Sequence, residues 1–112
     1  MKWEEYTFPV RMRGRIEEKT VTGVKLTDLL DDLKESDVVC ITNEAGIRYR
    51  YRGGDLICSR VDHLPAVIFL DESGQNKFRS HYRLAVGRQY PEQYNGRQWV
   101  RYIYKIEIDH DQ

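Results

Sequence analysis

Only one segment of this 112-residue chain repeats its apolar residues at helical spacing. Leu26, Leu29, Leu30 and Leu33 fall at i, i+3, i+4 and i+7, one stripe of a helix expected from about Thr27 to Glu35. Thr27 is the expected N-cap, Asp28 faces the positive end of the helix dipole, and Ser36-Asp37 ends the helix. The other regular segments read at period two or as short apolar runs. Parallel strands need a crossover, usually a helix, and one helix cannot supply several. The chain is therefore expected to be α+β, with mixed or mainly antiparallel sheets and one main short helix.

The strand candidates follow one another along the chain. Residues 4–12 have β-type composition, and Pro9 confines that strand to an edge. Residues 16–22 alternate weakly and predict a second short strand. Val38 to Thr42 is a short β-branched run, read as a buried strand, with a turn at Asn43-Glu44-Ala45-Gly46. Ile47, Tyr49 and Tyr51 then alternate with Arg48, Arg50 and Arg52, so the arginines share one face of a strand and the apolar residues the other. Gly53-Gly54 stops that strand, and residues 55–62 show no clear period. Pro65 to Leu70 reads as a buried strand followed by a turn at Asp71-Glu72-Ser73-Gly74. Tyr82 to Val86 is a strand closed by Gly87. Residues 88–98 form a long loop with Pro91 and Asn95-Gly96, and Trp99 to Ile108 is the longest strand candidate. No linker composition divides the chain, so residues 1–112 are expected to form a single domain around one core.

The charges exclude some partners. With 18 basic and 18 acidic residues the formal net charge is zero, which removes the basic excess of a nucleic-acid binder. Tyr49 and Tyr51 point away from the neighbouring arginines, whereas base-stacking aromatics share the exposed face with the basic residues. The charge is nevertheless segregated. Residues 26–46 hold six acids and one base, and residues 73–108 hold seven bases and two acids. No apolar run approaches the roughly 20 residues of a membrane helix, and no apolar stretch follows the charged start as in a secretory signal. The expectation is a cytoplasmic protein with neither membrane nor nucleic acid as partner. Cys40 and Cys58 are then expected to be free thiols, Cys40 as a small buried hydrophobe.

Twelve of the 18 basic residues are arginine, whose planar fork binds carboxylates and phosphates through two parallel hydrogen bonds. The strongest local cluster is Arg79, His81, Arg83 and Arg88, with Arg97 and Arg101. Arg79, His81 and Arg83 share one side of a strand if extended geometry begins that early. The cluster reads as a pocket for a small anion such as phosphate, carboxylate or a nucleotide. The alternative is an arginine–tyrosine surface paired with the acidic segment. His63, His81 and His110 have no metal-binding spacing on one element, and Asp109-His110-Asp111 reads as a frayed polar end. Phosphate-loop, nucleophile-elbow and zinc patterns are missing, and Ser80 and His81 point to opposite faces of a strand. No catalytic residue and no metal ligand is assigned.

Four ordered segments carry a resemblance to a known family. Val21-Thr22-Gly23-Val24-Lys25-Leu26-Thr27-Asp28-Leu29-Leu30 resembles "W-[ST]-G-V-P-L-S-D-L-L". Val38 to Gly46 is similar to the strand and turn that follow it, "V-x-F-x-S-x-D-G". Ala66-Val67-Ile68-Phe69-Leu70 with Asp71 to Gly74 looks like "A-Y-x-x-N-G-x-P-L". Tyr82-Arg83-Leu84-Ala85-Val86 and then Trp99 to Ile108 resemble "P-L-R-L-V-V-P" and "V-K-W-[LV]-x-x-I-E-[VI]". Together, over about residues 21–108, the chain resembles the closing portion of a sulfite-oxidase-type molybdopterin-binding domain. The resemblance implies a mixed α+β arrangement of sheets, a molybdopterin cofactor and oxygen-atom transfer such as sulfite oxidation. It also places Arg83 near the cofactor and an anionic substrate, and Arg101 near the cofactor phosphate.

The departures from that pattern shape the functional expectation. The family anchors molybdenum with a cysteine ahead of the Gly-Val-x-Leu helix, and no residue from Met1 to Lys25 is a cysteine. Cys40 follows that helix and does not match the ligand position, although the metal requires a soft thiolate. Arg79-Ser80-His81-Tyr82-Arg83 stands where the family has "H-G-x-P-L-R". The expectation is a non-catalytic binding or interaction module that takes a small anion at Arg79, His81, Arg83, Arg88 and Arg101. Molybdopterin enters only through the resemblance. One alternative is a molybdopterin-dependent oxidoreductase subunit. The other is a structural protein whose tyrosine-rich face buries against a protein partner or a second copy.

Overall fold

The computed structural model describes residues 2–71, 78–93 and 99–110. In chain order the strands are β1 (Glu4–Met12), β2 (Arg15–Lys25), β3 (Val38–Asn43), β4 (Arg48–Arg52), β5 (Val67–Leu70), β6 (Tyr82–Ala85) and β7 (Ile103–Asp109). Among the described residues, two short helices, α1 (Leu26–Leu29) and α2 (Gly53–Ile57), complete a small α+β domain. One sheet has the order β1-β2-β5-β6 and the other β4-β3-β7, and every pairing is antiparallel.

β1 and β2 form a hairpin closed by Arg13 and Gly14, whose φ angles of 52° and 79° suit the mirror-image turns that match strand twist. Pro9 lies on β1, which is an edge strand, where its missing N–H breaks no ladder. The four-stranded sheet is covered on both faces. On one side Ile68 and Leu84 meet Val39 and Ile41 of the three-stranded sheet, together with Leu26 and Leu56. On the other, Phe8, Val21, Val67, Phe69 and Ala85 form a second cluster. Trp99 caps it with edge-on contacts to Phe8 at 5.5 Å and Phe69 at 6.1 Å, and its indole N–H donates to the Val86 carbonyl at 2.9 Å. β5 reads as a continuous apolar run because its alternate residues enter different cores.

The helix differs from expectation. α1 is a single turn, closed by the Leu30 N–H donating to the Leu26 carbonyl, and the chain continues as separate turns through Leu33 and Asp37. Lys25 stands at its N-cap, no side chain caps it, and Thr27 lies inside it. The leucine stripe reaches the core without a long helix. Leu26 is buried, Leu30 and Leu33 pack against the core, and Leu29 stays 42% exposed. The Asp37 carboxylate accepts the Lys34 N–H at 2.8 Å, a local bond that competes with helical pairing.

α2 falls where the sequence shows no clear period. Gly53 does more than stop β4. Its N–H donates to the Asp37 carbonyl at 2.7 Å, and a Cβ there would strike the Lys34 carbonyl. β7 starts at Ile103 instead of Trp99. Tyr102 takes a left-handed conformation (φ 57°), and Val100 instead bridges Leu84. β2 is longer than residues 16–22 because it pairs along the whole of β1 and then with β5. The turn residues Glu72 to Gly74, the pair Asn95-Gly96, and Arg97 lie outside the described residues. Among the described residues no helix is long and apolar enough to cross a membrane.

On β4 the alternation holds from Arg48 to Arg52, but Ile47, expected on the apolar face, precedes the strand and is 53% exposed. Arg48, Arg50 and Arg52 are exposed, and Tyr49 and Tyr51 pack against the core. Burial holds the Tyr51 hydroxyl well above the ordinary tyrosine range, with Tyr49 adding to the effect. The unfolded chain then loses this proton first. The contribution to stability is complete below about pH 10 and falls above it by up to about 1.4 kcal/mol per pH unit. Denaturant titrations at rising pH are expected to show this alkaline loss, and a shallower loss in Tyr51→Phe. Urea unfolding of Gly53→Ala is expected to show a loss of about 2–3 kcal/mol. Gly54→Ala, whose added Cβ would make ordinary contact 3.5 Å from the Glu35 Cβ, is expected to change much less.

Candidate functional site

Among the described residues, the arginines and the histidine of the expected cluster differ in exposure and in partners. β6 begins at Tyr82, so Arg79 and His81 lie in the segment that leads into the strand carrying Arg83. Arg79 and Arg101 are exposed, and His81 is half-buried with its carbonyl accepting the Asp71 N–H at 2.9 Å. Arg83 is largely buried. Its guanidinium lies 3.5 Å from the Asp71 carboxylate and 5.4 Å from the centre of the Tyr102 ring. Arg88 wraps Asp62, with Nη2 donating to Oδ1 at 2.6 Å, Nε at 3.0 Å and the backbone N–H donating to Oδ2 at 2.7 Å. A further bond runs from its Nη1 to the Pro91 carbonyl at 3.1 Å. The forks that could bind an external anion at Arg83 and Arg88 thus meet carboxylates of the same chain.

The acidic and basic segments meet within the molecule. Glu44, in the turn after β3, accepts the backbone N–H groups of Arg79 at 3.2 Å and Ser80 at 2.6 Å. Of the expected frayed end, Asp109 closes β7, His110 Nδ1 lies 3.0 Å from the fully buried Asp37 carboxylate, and Asp111 lies outside the described residues. Cys40 also departs from expectation. It is half-buried on the outer face of the three-stranded sheet, where Arg48 Nη2 donates to its sulfur at 3.4 Å.

An apolar groove was not signalled by any motif. It opens at one end of the layer between the sheets, with a volume of about 330 Å³. Val24 and Ile68 line it from one sheet, Ile103 and Ile106 from the other, and Trp3, Leu29 and Tyr82 complete it. Trp3 is 53% exposed and Tyr82 50%. The register explains the arrangement. Val24 pairs with Ile68 and Ile68 with Leu84, and Tyr82, two residues before Leu84, is on the same face. Trp3 precedes Glu4, whose partner is Gly23, and so comes level with Val24. The available signal was the spacing of apolar residues along β2, β5 and β7. It showed which residues face inward, but not that the two sheets stop covering each other here.

The residues present do not fit a molybdopterin centre. The arginine matched to the cofactor, Arg83, faces Asp71. Cys40 follows the helix and opens onto a trough walled by Arg48, Arg50, Glu107 and Asp109, and Cys58 is exposed in the segment after α2. Among the described residues no three His, Cys, Asp or Glu side chains converge as ion ligands. The class defined by the structure is a two-sheet antiparallel α+β domain with an open apolar groove. No family model, curated protein or solved structure matches the chain.

If Arg88 serves to tie the loop after β6 to the segment after α2, removing it leaves the Asp62 carboxylate unpaired. Arg88→Ala and Asp62→Ala are each expected to cost about 2–3 kcal/mol in chemical denaturation. The double variant is expected to cost little more than either alone, a coupling that a double-mutant cycle measures.

Proposed function

We propose that this domain is an interaction module that docks an apolar side chain of a protein partner in the groove between its sheets. The observation that carries the reading is the groove itself, lined by Trp3, Val24, Leu29, Ile68, Tyr82, Ile103 and Ile106, in a chain whose mean hydropathy is −0.70. Contiguous exposed apolar surface with a polar rim marks interaction sites, and aromatic residues dominate their energetics. The volume of about 330 Å³ lies at the low end of small-molecule pockets, and the groove is open to solvent. Those dimensions suit a side chain projecting from a polypeptide.

The rim supports a basic partner. Asp28, Asp31 and Asp32 are exposed within three residues of Leu29 in the chain, Glu5 is exposed on the same face of β1 as Trp3, and the exposed Lys2 next to Trp3 is already paired with Glu4. A partner segment carrying lysine or arginine around its apolar anchor would be attracted and oriented by these carboxylates. The small-anion reading is weakened by the carboxylates already facing Arg83 and Arg88, which leaves Arg79 and Arg101 as its remaining exposed cations. The likeness to the sulfite-oxidase-type domain enters this proposal as a relation of architecture, with the surface and not the cofactor as the working part.

Short peptides with one leucine or phenylalanine flanked by lysines test the proposal against the same peptides flanked by glutamates. Titration of the Trp99→Phe protein follows the emission of Trp3 alone. Lysine-flanked peptides are expected to shift it to the blue. An added Ile103→Ala or Leu29→Ala change should weaken binding, and Trp3→Ala, read by calorimetry, should weaken it about thirtyfold, as for an interface hot spot. Equal binding of both peptide sets, or binding of neither, would overturn the reading.

A further inference from the structure

The outer face of the three-stranded sheet carries a charge pattern that the groove does not use. Its side chains form three cross-strand rows, read from β4 through β3 to β7. The rows are Arg52–Val38–Asp109, Arg50–Cys40–Glu107 and Arg48–Thr42–Lys105. In the first two rows a cation stands on β4, an uncharged side chain on β3 and an anion on β7. They border a trough of about 500 Å³ with Val38 and Cys40 as its floor, Arg48 and Arg50 on one side, and Glu107 and Asp109 on the other. Neighbouring strands are about 4.8 Å apart, so the walls are separated by about twice that distance and do not close on each other. Among the described residues, Arg50, Arg52 and Asp109 have no ion-pair partner within the molecule.

We propose that this face is self-complementary and pairs two copies of the chain about a twofold axis parallel to β3. Such an axis lays β4 of one copy over β7 of the other while keeping each row at its own level. Arg50 then faces Glu107 of the second copy, Arg52 faces Asp109, and the reciprocal contacts follow from symmetry. Cys40 faces its own counterpart at the centre. A twofold axis running across the strands would instead set Arg50 against Arg50 and Glu107 against Glu107, so the charges select one orientation. The third row opposes Arg48 and Lys105. Both are exposed, Lys105 lies 3.5 Å from Glu107 of its own chain, and Arg48 bonds the Cys40 sulfur. That unfavourable row, together with an interface of charged groups, makes the pair a weak, salt-sensitive one whose charges set orientation more than affinity. The apolar groove lies on the other side of this sheet and stays open in the pair, so the two proposals stand independently.

A charge-swap cycle followed by sedimentation equilibrium tests the arrangement. Self-association is expected at protein concentrations up to about 1 mM, and raising salt from about 50 to about 500 mM should weaken it by roughly tenfold. Arg50→Glu and Glu107→Arg should each weaken it by at least about tenfold, and the double variant, which restores opposite charges across the axis, should recover to within about threefold of the parent. Thermal melts verify that the exposed substitutions leave the domain folded. In a Cys58→Ser background, a bis-maleimide about 10 Å long, matched to the spacing of stacked sheets, should link the two Cys40 thiols, and Arg50→Glu should reduce the yield. A strict monomer at every concentration overturns the proposal, whether or not the trough takes a small zwitterion such as a free amino acid. A dimer indifferent to both single swaps overturns it too, as does a double variant weaker than either single.

Discussion

Burial of the four-stranded sheet on both faces is the constraint on which the domain depends. β5 is the strand where the two apolar clusters share a backbone, with Ile68 turned to one and Val67 and Phe69 to the other. Neither cover is a second complete sheet of equal size. The three-stranded sheet protects one face, and Trp99 with Leu64 and Tyr6 protects the other. A domain of about 110 residues has little core to spare. The end of the interlayer where Trp3 and Tyr82 emerge is where the smaller sheet runs out. The groove is therefore a geometric consequence of stacking three strands on four, and its apolar lining is core that lacks a lid.

The polar interactions do a different job from the one their residue types suggest. Arg88–Asp62 joins positions 26 residues apart, Glu44 holds the backbone at Arg79 and Ser80, and His110 meets Asp37 across 73 residues of chain. These contacts hold connecting segments and the chain's far end against the sheets. Such segments have few backbone partners of their own, and a carboxylate accepting two N–H groups satisfies what a strand ladder would otherwise satisfy. An arginine-rich sequence stretch looks like an anion site when its acids are far away in the sequence. Once the fold brings Asp62 and Asp71 beside Arg88 and Arg83, the same guanidiniums become internal ties.

The sequence was most legible where one physical requirement acts alone. Pro9 had to be on an edge, and it is on β1. The alternation over residues 48–52 had to turn arginines out and tyrosines in, and β4 does so. Legibility failed where two requirements compete. The leucine stripe at 26–33 signalled a helix, but the Asp37 side chain claims the Lys34 N–H and the leucines reach the core from turns. Gly53-Gly54 signalled a stop, whereas the close approach of the Lys34 carbonyl is what requires Gly53. Trp99 and Val100 belong by composition to a strand with Ile103 to Ile108. The left-handed Tyr102 separates them, so that Trp99 can cap one sheet while β7 completes the other. Of the site, the β4 arginines were visible in sequence, but their counterparts on β7 gain meaning only from the register that places Glu107 and Asp109 in the same rows.

That register also gives the zero net charge a structural sense. A molecule without net charge has no long-range repulsion from its copies, so local pattern decides whether two of them meet productively. In two of the three rows on the outer face of the three-stranded sheet the signs are sorted by strand, a cation on β4 and an anion on β7, with β3 between them. Mixing the signs along each strand would have allowed neighbouring residues to neutralise one another within the chain, as Lys105 and Glu107 do. Sorting by strand limits that to this one pair, because the intervening strand keeps the two walls apart. Arg50, Arg52 and Asp109 are then left to be matched from outside, and the outside surface with the right spacing and the opposite order is the same face turned over.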